Sequence, residues 1–276
     1  MDPQTIYTDH IKKQKELLKQ IEKDLKGNVL FFAGDINRLT TFNLHKILRS
    51  IKKENKLFLI LESPGGELDS AAKIINICKE YSQEFNVIVP FYAKSAASLI
   101  ALSADNLFLG NAGEIGPIDP QVKHPALNMF FPALAIKDAI EVTESSKDPY
   151  VKMSLADKID PYLMGAYQRT LKEAGQHLEK SNLIKSSKDK EKVIKELTQT
   201  YISHGYPICA KECSRIGIKT SKFKNDKIFE KVYTLFEEHV DFIINPIIGF
   251  QFCIISPTKD ILKLELKIPK SLVEKQ

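Results

Sequence analysis

Ser95 stands where an expected strand turns abruptly into an expected helix, and its hydroxyl has the surroundings of a nucleophile. An apolar run at 87–91 precedes it, and another at 99–102 follows it. Ala96 and Ala97 are small, so the backbone can turn tightly and leave the Ser95 hydroxyl and the first helical N–H groups uncovered. Groups of this kind can hold a negative charge that develops during a reaction.

Two other interpretations of this stretch stay open. A serine at the start of a helix most often caps that helix, by accepting a hydrogen bond from an N–H group of the first turn. Ser98 lies one helical turn beyond Ser95 and is an alternative nucleophile, although we expect it to lie deeper in the helix.

A pair of glycines follows another expected strand about thirty residues earlier. The apolar run at 57–61 is typical of a buried strand, and Gly65 and Gly66 come soon after it. Adjacent glycines can expose successive N–H groups to a ligand oxygen, although such a pair is more often only a turn. Because neighbouring parallel strands end at the same edge of a sheet, the two corners predict an oxyanion hole beside Ser95, formed by the N–H groups of Gly65 or Gly66 and of Ala96.

Strands and helices alternate around these corners. We predict helices over 4–26, 41–53, 68–82 and 96–104, and strands over 28–33, 57–61, 86–91 and 106–109. This alternation implies right-handed crossovers and a mainly parallel sheet. Further along, we predict helices over 137–144, 161–178 and 228–242 and strands over 249–255 and 261–268. The hydrophobic segment 126–135 is expected to pack on another subunit, line a substrate groove or join the core.

Three motifs in this order resemble the Clp-fold serine proteases. They are Leu-Glu-Ser-Pro-Gly-Gly at 61–66, Ala-Lys-Ser-Ala-Ala-Ser-Leu-Ile-Ala-Leu-Ser-Ala-Asp at 93–105, and Gly-Glu-Ile-Gly-Pro-Ile-Asp-Pro-Gln at 113–121. Within that group the chain looks most like the serine dehydrogenase proteinase family, a relative of signal peptide peptidase A and of the Clp protease proteolytic subunit. A weaker match over 204–218 resembles the segment that closes the family domain.

The resemblance implies an α/β chain with a ClpP/crotonase-like fold, made of repeated β-β-α units around a mainly parallel sheet. We expect an N-terminal amphipathic helix at 1–27, a Clp-fold serine protease domain at 28–221 and an appended C-terminal αβ subdomain at 222–276. The resemblance does not reach the last part, so its role is open.

The same resemblance implies a serine endopeptidase that cleaves peptide or protein substrates through an acyl-enzyme on Ser95. A serine hydroxyl is a poor nucleophile until a base removes its proton. The Clp proteolytic subunit uses a histidine, but His124 is the only histidine near the corresponding place, and the resemblance puts residues 117–119 there instead. The signal peptide peptidase branch uses a lysine, which becomes a base when burial lowers its pKa.

The branch resemblance places that lysine well downstream of the serine and shortly before a long helix. The window contains Lys137, Lys147, Lys152 and Lys158. Lys152 has the most apolar flanks, so we predict it as the base, with Lys158 and Lys147 as alternatives. Lys94 adjoins the nucleophile, but in a strand it should point to the opposite face or border the substrate groove.

Composition and charge narrow the class of partner. The formal charge of +5 comes from 40 basic and 35 acidic residues that are dispersed along the chain, so we expect no nucleic acid. No apolar stretch approaches the ~20 residues that span a bilayer, so we expect no transmembrane segment and a cytoplasmic location. The four cysteines have no metal-binding spacing and there is no phosphate-binding loop, so we expect neither a metal nor a cofactor.

The resemblance also implies an assembly of several copies. Proteins of this fold commonly form trimers or larger rings, and we expect a homo-oligomer.

Two functions from other classes remain as alternatives. The fold also serves crotonase-type acyl-CoA enzymes, which hold a thioester enolate with the same paired N–H groups. A protein that had kept the fold and lost the base would instead be a non-catalytic assembly or binding protein.

Overall fold

The structure of the protein is a computed structural model that describes residues 3–118, 121–124, 129–158, 160–184, 187–201, 203–223, 225–243 and 248–266. Its strands are β1 (Asn28–Gly34), β2 (Lys56–Glu62), β3 (Glu84–Val89), β4 (Tyr92–Ala93), β5 (Asn106–Leu109), β6 (Glu114–Ile115), β7 (Gln121–His124), β8 (Met129–Pro132), β9 (Ile208–Cys209), β10 (Ile248–Ile255) and β11 (Asp260–Leu266). Its helices are α1 (Pro3–Leu25), α2 (Arg38–Leu48), α3 (Leu68–Glu80), α4 (Ala96–Leu102), α5 (Ala133–Ser145), α6 (Pro149–Ala156), α7 (Pro161–Leu178), α8 (Ser187–Lys195), α9 (Ala210–Ile216) and α10 (Lys227–Ile243), with a π-helical turn at Glu196–Thr200.

The central sheet has the strand order β11-β10-β1-β2-β3-β5. Strands β1, β2, β3 and β5 run parallel, with Leu30 beside Leu59 and Leu59 beside Val87. Helices α2, α3 and α4 lie on the connections between them. The predicted α/β fold with a mainly parallel sheet is therefore confirmed.

The inner strands of the central sheet carry apolar side chains on both of its faces. Helices cover each face, so the sheet is buried on both sides. In β2, Leu57, Leu59 and Leu61 belong to one hydrophobic cluster, to which α2, α3 and α4 contribute. Phe58 and Ile60 belong to a second cluster, to which α1 and α10 contribute. Successive strand residues point to opposite faces, so Glu62, which follows Leu61, continues the series on the α10 side.

A smaller sheet, β4-β6-β9, lies at the carboxyl ends of the parallel strands. Strand β4 is parallel to β6, and β6 is antiparallel to β9. The residue after β2, Ser63, forms a bridge to Ala93 in β4. This sheet therefore fixes the end of β4 next to the loop that leaves β2.

Several helix bounds differ from those predicted: α5, for example, begins at Ala133 and not at 137, and α2 ends at Leu48 and not at 53. Side-chain caps explain the start of α2 and the presence of α6. Helix α2 begins at Arg38 and not at 41, because the Asn37 side chain accepts hydrogen bonds from the amides of Leu39 and Thr40. The Thr40 hydroxyl accepts one from the Asn37 amide in return, which completes a capping box. Helix α6 was not predicted, although Asp148 followed by a proline is a start signal: its carboxylate accepts the Tyr150 amide at 2.8 Å.

The C-terminal elements join the main sheet. Strand β10 pairs antiparallel with β1, placing Cys253 beside Ala33, and β11 pairs with β10. Helix α10 packs on α1, where the Gln14 side-chain amide donates to the Leu235 carbonyl at 3.0 Å. The region from 222 was predicted as an appended subdomain, and its described strands instead extend the parallel sheet at the β1 edge. The boundaries at 27 and 221 stay predictions.

Residues 133–158 and 160–178 form a helical region after the β7–β8 hairpin, in which α5 packs against both α6 and α7. Part of the predicted hydrophobic segment 126–135 lies outside the described residues; the described part forms β8 and the start of α5. Within the described ranges, no helix has both the length and the apolar character to cross a membrane.

Candidate active site

Ser95 occupies a strained corner between β4 and α4. Its φ is 51° and its ψ is −119°, and positive φ is costly for a residue with a side chain. Ser95 stands at the N-cap position, yet its side chain makes no capping hydrogen bond. Its hydroxyl has no hydrogen-bond partner among the described residues, and the residue is partly exposed. The corner therefore presents the hydroxyl outward instead of using it as a cap.

Short backbone hydrogen bonds on both sides hold this corner in place. The Lys94 amide donates to the Ser63 carbonyl at 2.9 Å, and the Ser63 amide donates to the Tyr92 carbonyl at 3.1 Å. On the helical side, the Ala97 amide donates to the Lys94 carbonyl at 2.9 Å. Ala96 and Ala97 are fully buried, so larger side chains would not fit behind the turn. The neighbouring strand end and helix together fix the strained backbone of Ser95.

The glycine loop after β2 lies directly against this corner. Gly65 has a φ of +109°, and a Cβ placed on it would come within 2.8 Å of the Ser95 Cβ and 2.7 Å of the Lys94 carbonyl oxygen. Real Cβ atoms do not approach other atoms so closely. Only a glycine at position 65 allows the two corners to lie this close. The structure therefore brings together the glycine pair and the Ser95 corner, as the sequence predicted.

The two glycines differ in how their N–H groups are used. The Gly65 amide donates to the Ser63 hydroxyl at 3.1 Å. Gly66 is held by Ile36, whose amide donates to the Gly65 carbonyl at 2.8 Å and whose carbonyl accepts from the Glu67 amide at 2.9 Å. Over the described ranges, the amides of Gly66 and Ala96 have no acceptor. These two N–H groups are therefore the ones available to an oxyanion.

Ser98 is a structural residue. It is fully buried, and its hydroxyl lies 2.7 Å from the Ala93 carbonyl oxygen and 2.8 Å from that of Gly116. The Gly116 amide donates to the same hydroxyl at 2.9 Å. Ser98 thus fastens α4 to β4 and to the residue after β6, and a peptide cannot reach it. Of the two serines in this stretch, only Ser95 has an accessible hydroxyl.

Lys94 reaches away from the nucleophile to the segment before β9. Its ammonium pairs with the Glu114 carboxylate and donates to the carbonyls of Gly205 and Tyr206 at 3.3 and 3.2 Å. A Cβ on Gly116 would lie 2.4 Å from the Lys94 Cδ, so this glycine makes room for the lysine side chain. The Lys94 ammonium thus contacts three acceptors, and within the described ranges it makes no hydrogen bond to Ser95. Glu114 was not predicted as a partner of Lys94, although it lies in the motif at 113–121.

The lysines of the predicted window all remain in contact with solvent in a single chain. Lys152, Lys147 and Lys158 are exposed, and the Lys152 ammonium donates to the Glu144 carbonyl at 3.4 Å. Lys137 is 40% exposed and lies 3.4 Å from the Glu141 carboxylate. Over the described residues, none of them hydrogen-bonds to Ser95. The side chain of His124 lies outside the described part of the structure.

Exposed apolar side chains lie on the same elements as these lysines and on their neighbours in the chain. Large apolar residues are exposed on β8, α5, α6 and α7, namely Met129, Val142, Tyr150, Val151, Met153 and Tyr162. Tyr150 and Tyr162 are the most open of them, at 85% and 88%. We call these six residues the α5–α7 apolar surface. Lys152 lies between Val151 and Met153 within it.

The four thiols are not part of a metal site in the described structure. Cys78, Cys213 and Cys253 are buried, Cys209 is exposed, and none is in a disulfide. Burial raises the pKa of Cys213 to about 12, so this thiol is protonated. Among the described residues, no group of three His, Cys, Asp or Glu side chains is placed to hold a metal ion.

A protein-family model matches residues 1–251, and its description is ClpP-like SDH-type serine proteinase. Two uncharacterized proteins of Methanocaldococcus jannaschii are relatives in sequence. MJ0137 is 31% identical over 205 residues, which cover 72% of this chain and 65% of the relative. MJ1495 is 26% identical over 250 residues, which cover 85% of this chain and 79% of the relative. The chain thus spans less than two thirds of the length of MJ0137.

Solved structures of lower sequence identity are also similar to this chain. One is a lysine-to-alanine variant of the 1510-N membrane-bound stomatin-specific protease in complex with a substrate peptide, at 13% identity and a TM-score of 0.49, covering 74% of this chain and 78% of that one. Another is a variant of ClpP1 from Listeria monocytogenes, at 16% identity and a TM-score of 0.39, covering 76% of this chain and 99% of that one.

Proposed function

The chain belongs to the family of ClpP-like, SDH-type serine proteinases, and from this premise we propose that it hydrolyses peptide bonds through an acyl-enzyme formed on Ser95. The observation that carries the proposal is the corner at Ser95. Its hydroxyl is partly exposed, makes no capping hydrogen bond, and belongs to the residue that packs against the glycine loop. A strained, outward-facing serine at a strand-to-helix turn is the arrangement that a nucleophile needs.

In the proposed first step, the Ser95 oxygen attacks a peptide carbonyl carbon while its proton passes to a neutral lysine. The carbonyl oxygen becomes an oxyanion, and the N–H groups of Gly66 and Ala96 donate to it. Gly65 was the other predicted donor, but its N–H group is already bound to the Ser63 hydroxyl. One such donor typically contributes about 3–4 kcal/mol to the stability of the transition state.

The tetrahedral intermediate then collapses and the carbon–nitrogen bond breaks. The leaving amine takes the proton from the lysine, which leaves an ester on Ser95 and a neutral lysine. A water molecule gives its proton to the same lysine and attacks the ester carbon. The carboxyl product departs and Ser95 regains its proton, so that atoms and charges balance over the cycle.

We propose Lys152 as the base, with Lys158 and Lys147 as alternatives. An exposed lysine is charged near neutral pH and cannot accept a proton, so this assignment requires another copy of the chain to cover Lys152. The α5–α7 apolar surface supports that requirement, because large apolar side chains exposed on neighbouring elements are typical of an interface. We therefore propose a homo-oligomer, a trimer or a larger ring, acting on peptides or proteins. The cytoplasmic location stays a prediction from the sequence.

Labelling with a fluorophosphonate probe tests the nucleophile, because only an activated serine reacts. We expect the wild-type protein to be labelled and Ser95→Ala to remain unlabelled. Ser98→Ala is the matched control: it loses buried hydrogen bonds and some thermal stability, but it keeps the reactive hydroxyl and should still be labelled. If Ser95→Ala is labelled as rapidly as the wild type, Ser95 is not the nucleophile.

Alanine substitutions at Lys137, Lys147, Lys152 and Lys158 test the base in the same assay. A general base contributes about 10²–10⁴-fold to rate, so Lys152→Ala should lower the labelling rate at least 100-fold and the other three only a few-fold. Sedimentation of each variant shows whether the oligomer has survived. An intact oligomer with normal labelling in Lys152→Ala would rule out this lysine. A wild-type protein that is never labelled would favour the non-catalytic assembly protein.

A further inference from the structure

A cavity of about 630 Å³ lies beside the carboxyl ends of β1 and β2. It is lined by the residues after these two strands, by the segment before Ser95 and by α10, namely Ala33, Gly34, Asp35, Asn37, Leu39, Glu62, Pro64, Phe91, Tyr92, Phe236, His239, Val240 and Phe252. A volume of this size suits a small organic ligand. Ser95, Gly66 and Ala96 do not line it, so this cavity is separate from the proposed catalytic corner.

The described ionisable side chains that line the cavity are two carboxyl groups, a tyrosine and a histidine. Asp35 lies at its exposed side, and Glu62, only 6% exposed, lies inside it. No lysine or arginine is among the described residues that line it, although the whole chain carries a formal charge of +5. Burial lowers the pKa of His239 to about 3, and the neighbouring His10 adds to this effect, so the His239 imidazole is neutral. The cavity is therefore a local acidic site in a basic protein.

Aromatic rings form the wall next to these carboxyl groups. Phe91 stacks on Phe236 with ring centroids 5.6 Å apart, and it meets Tyr92 edge-on at 5.8 Å. These rings connect the segment before Ser95 with α10. The face of an aromatic ring carries partial negative charge and attracts cations, more strongly where water is excluded.

The segment before Ser95 holds the Glu62 side chain in place. Its Oε2 atom accepts a hydrogen bond from the Tyr92 amide at 3.1 Å. Burial raises the pKa of Glu62 to about 8, helped by the Glu114 carboxylate and opposed by the hydrogen bonds from the amides of Tyr92 and Phe91. Near neutral pH the carboxyl group is thus mostly protonated, and a cation beside it would favour its ionised form.

We propose that this cavity binds a small organic ammonium ion, which the Glu62 and Asp35 carboxyl groups and the rings of Phe91, Tyr92 and Phe236 would hold. Carboxylates and aromatic faces together are the groups that recognise organic ammonium ions. An anion would find no basic partner among the described lining residues. A strongly hydrated metal ion would need several oxygen ligands, and no group of three suitable side chains is present in the described structure.

A matched pair of probes tests the sign of the ligand charge. Choline and 3,3-dimethylbutan-1-ol have the same shape and differ in the central atom, nitrogen in one and carbon in the other. We expect titration calorimetry at pH near neutrality to show saturable choline binding that is at least 10-fold tighter than binding of the alcohol. Butylammonium in a third titration distinguishes a quaternary ligand from a primary one. Equal affinity for choline and the alcohol, or no saturable binding of either ammonium at millimolar concentration, would overturn the proposal.

The pH dependence of choline binding identifies the carboxyl group involved. The groups that face Glu62 are Asp35 after β1, Tyr92 in β4, Glu114 in β6 and His239 in α10. Choline keeps its charge at every pH, so its affinity should rise severalfold from pH about 6 to about 8, as the Glu62 proton becomes easier to displace, and then level off. Below pH about 8, calorimetry in buffers of different ionisation enthalpy should detect release of a proton.

Glu62→Gln keeps the shape of the side chain and cannot carry a negative charge. It should weaken choline binding at least 10-fold and abolish the rise with pH. Glu54→Gln should change neither, because this exposed carboxylate precedes β2 and Glu62 ends it, and Glu54 does not line the cavity. Ser95→Ala should bind choline as the wild type does, since the nucleophile does not line the cavity. Unchanged choline binding in a folded Glu62→Gln variant would show that the acidic cavity is not the site.

Discussion

At the scale of single residues, the corner at Ser95 depends on the absence of one side chain. Gly65 lies so close to Ser95 that a Cβ would be 2.8 Å from the serine Cβ. Its φ of +109° is also one that other residues rarely adopt. Gly65 therefore lets the two corners approach closely, whereas the Gly66 amide has no acceptor within the described part of the chain. The sequence offered both glycines as donors and could not distinguish these two roles.

Gly65→Ala is expected to abolish fluorophosphonate labelling and to lower the free energy of unfolding by about 1–3 kcal/mol, because the new methyl group must displace the Ser95 corner and the backbone is strained. Labelling rates and chemical denaturation measure the two effects. Gly165→Ala is the control: this exposed glycine of α7 has no atom within 4 Å of an added Cβ, so the change should stabilise the helix by about 0.5–1 kcal/mol. Normal labelling in Gly65→Ala would show that the corner tolerates displacement.

At the scale of elements, the small β4-β6-β9 sheet positions the nucleophile by connecting distant parts of the chain. Lys94 makes two kinds of contact. Its amide donates to the Ser63 carbonyl, and its ammonium pairs with the Glu114 carboxylate and donates to the carbonyls before β9. We predicted that its side chain would point away from the serine or border a substrate groove. In the structure the side chain reaches away from Ser95, and its ammonium links β4 to β6 and to residues 205–206. We infer that this ion pair helps to keep the Ser95 corner in place.

Lys94→Met and Glu114→Gln should each slow labelling of Ser95 by about 10-fold, because the link between β4 and the segment before β9 is lost. The double variant should be no slower than the slower single variant, since one interaction is removed in each case. The exposed pair of Lys52 and Glu54 is the control, and Lys52→Met should leave the labelling rate unchanged. Wild-type labelling rates in both single variants would contradict a positioning role for the pair.

At the scale of the whole molecule, the C-terminal elements complete the core. The second hydrophobic cluster contains Val29 and Phe31 of β1 together with Val232 and Leu235 of α10. Helix α10 therefore covers one face of the parallel sheet, and β10 covers the edge of β1. An unpaired, apolar strand edge is prone to aggregation, so we expect the protease core to depend on this region.

Leu235→Ala should lower the free energy of unfolding by about 2–5 kcal/mol, because the leucine is fully buried against the sheet. Glu237→Ala, on the exposed side of the same helix, should change it by less than about 0.5 kcal/mol. Calorimetry should show one transition that shifts as a whole in Leu235→Ala. Two transitions, with only one of them shifted, would instead support an independent subdomain from residue 222.

The sequence by itself determined the features that depend on neighbouring residues. Hydrophobic spacing located the parallel strands and long helices such as α7, because each periodicity is a local property of the chain. The small residues after Ser95 and the paired glycines identified two strand-to-helix corners. The sequence also predicted that these two corners lie next to each other, because parallel strands end at a common edge of the sheet.

Only the tertiary structure decided what depends on contacts between distant residues. The pairing of β10 with β1 joins parts of the chain more than two hundred residues apart, and nothing in either strand specifies the other. The free N–H group of Gly66, the buried hydroxyl of Ser98 and the direction of the Lys94 side chain follow from three-dimensional packing. The acidic cavity likewise exists only because β1, β2, β4 and α10 converge, which places Glu62 beside rings that are distant in sequence.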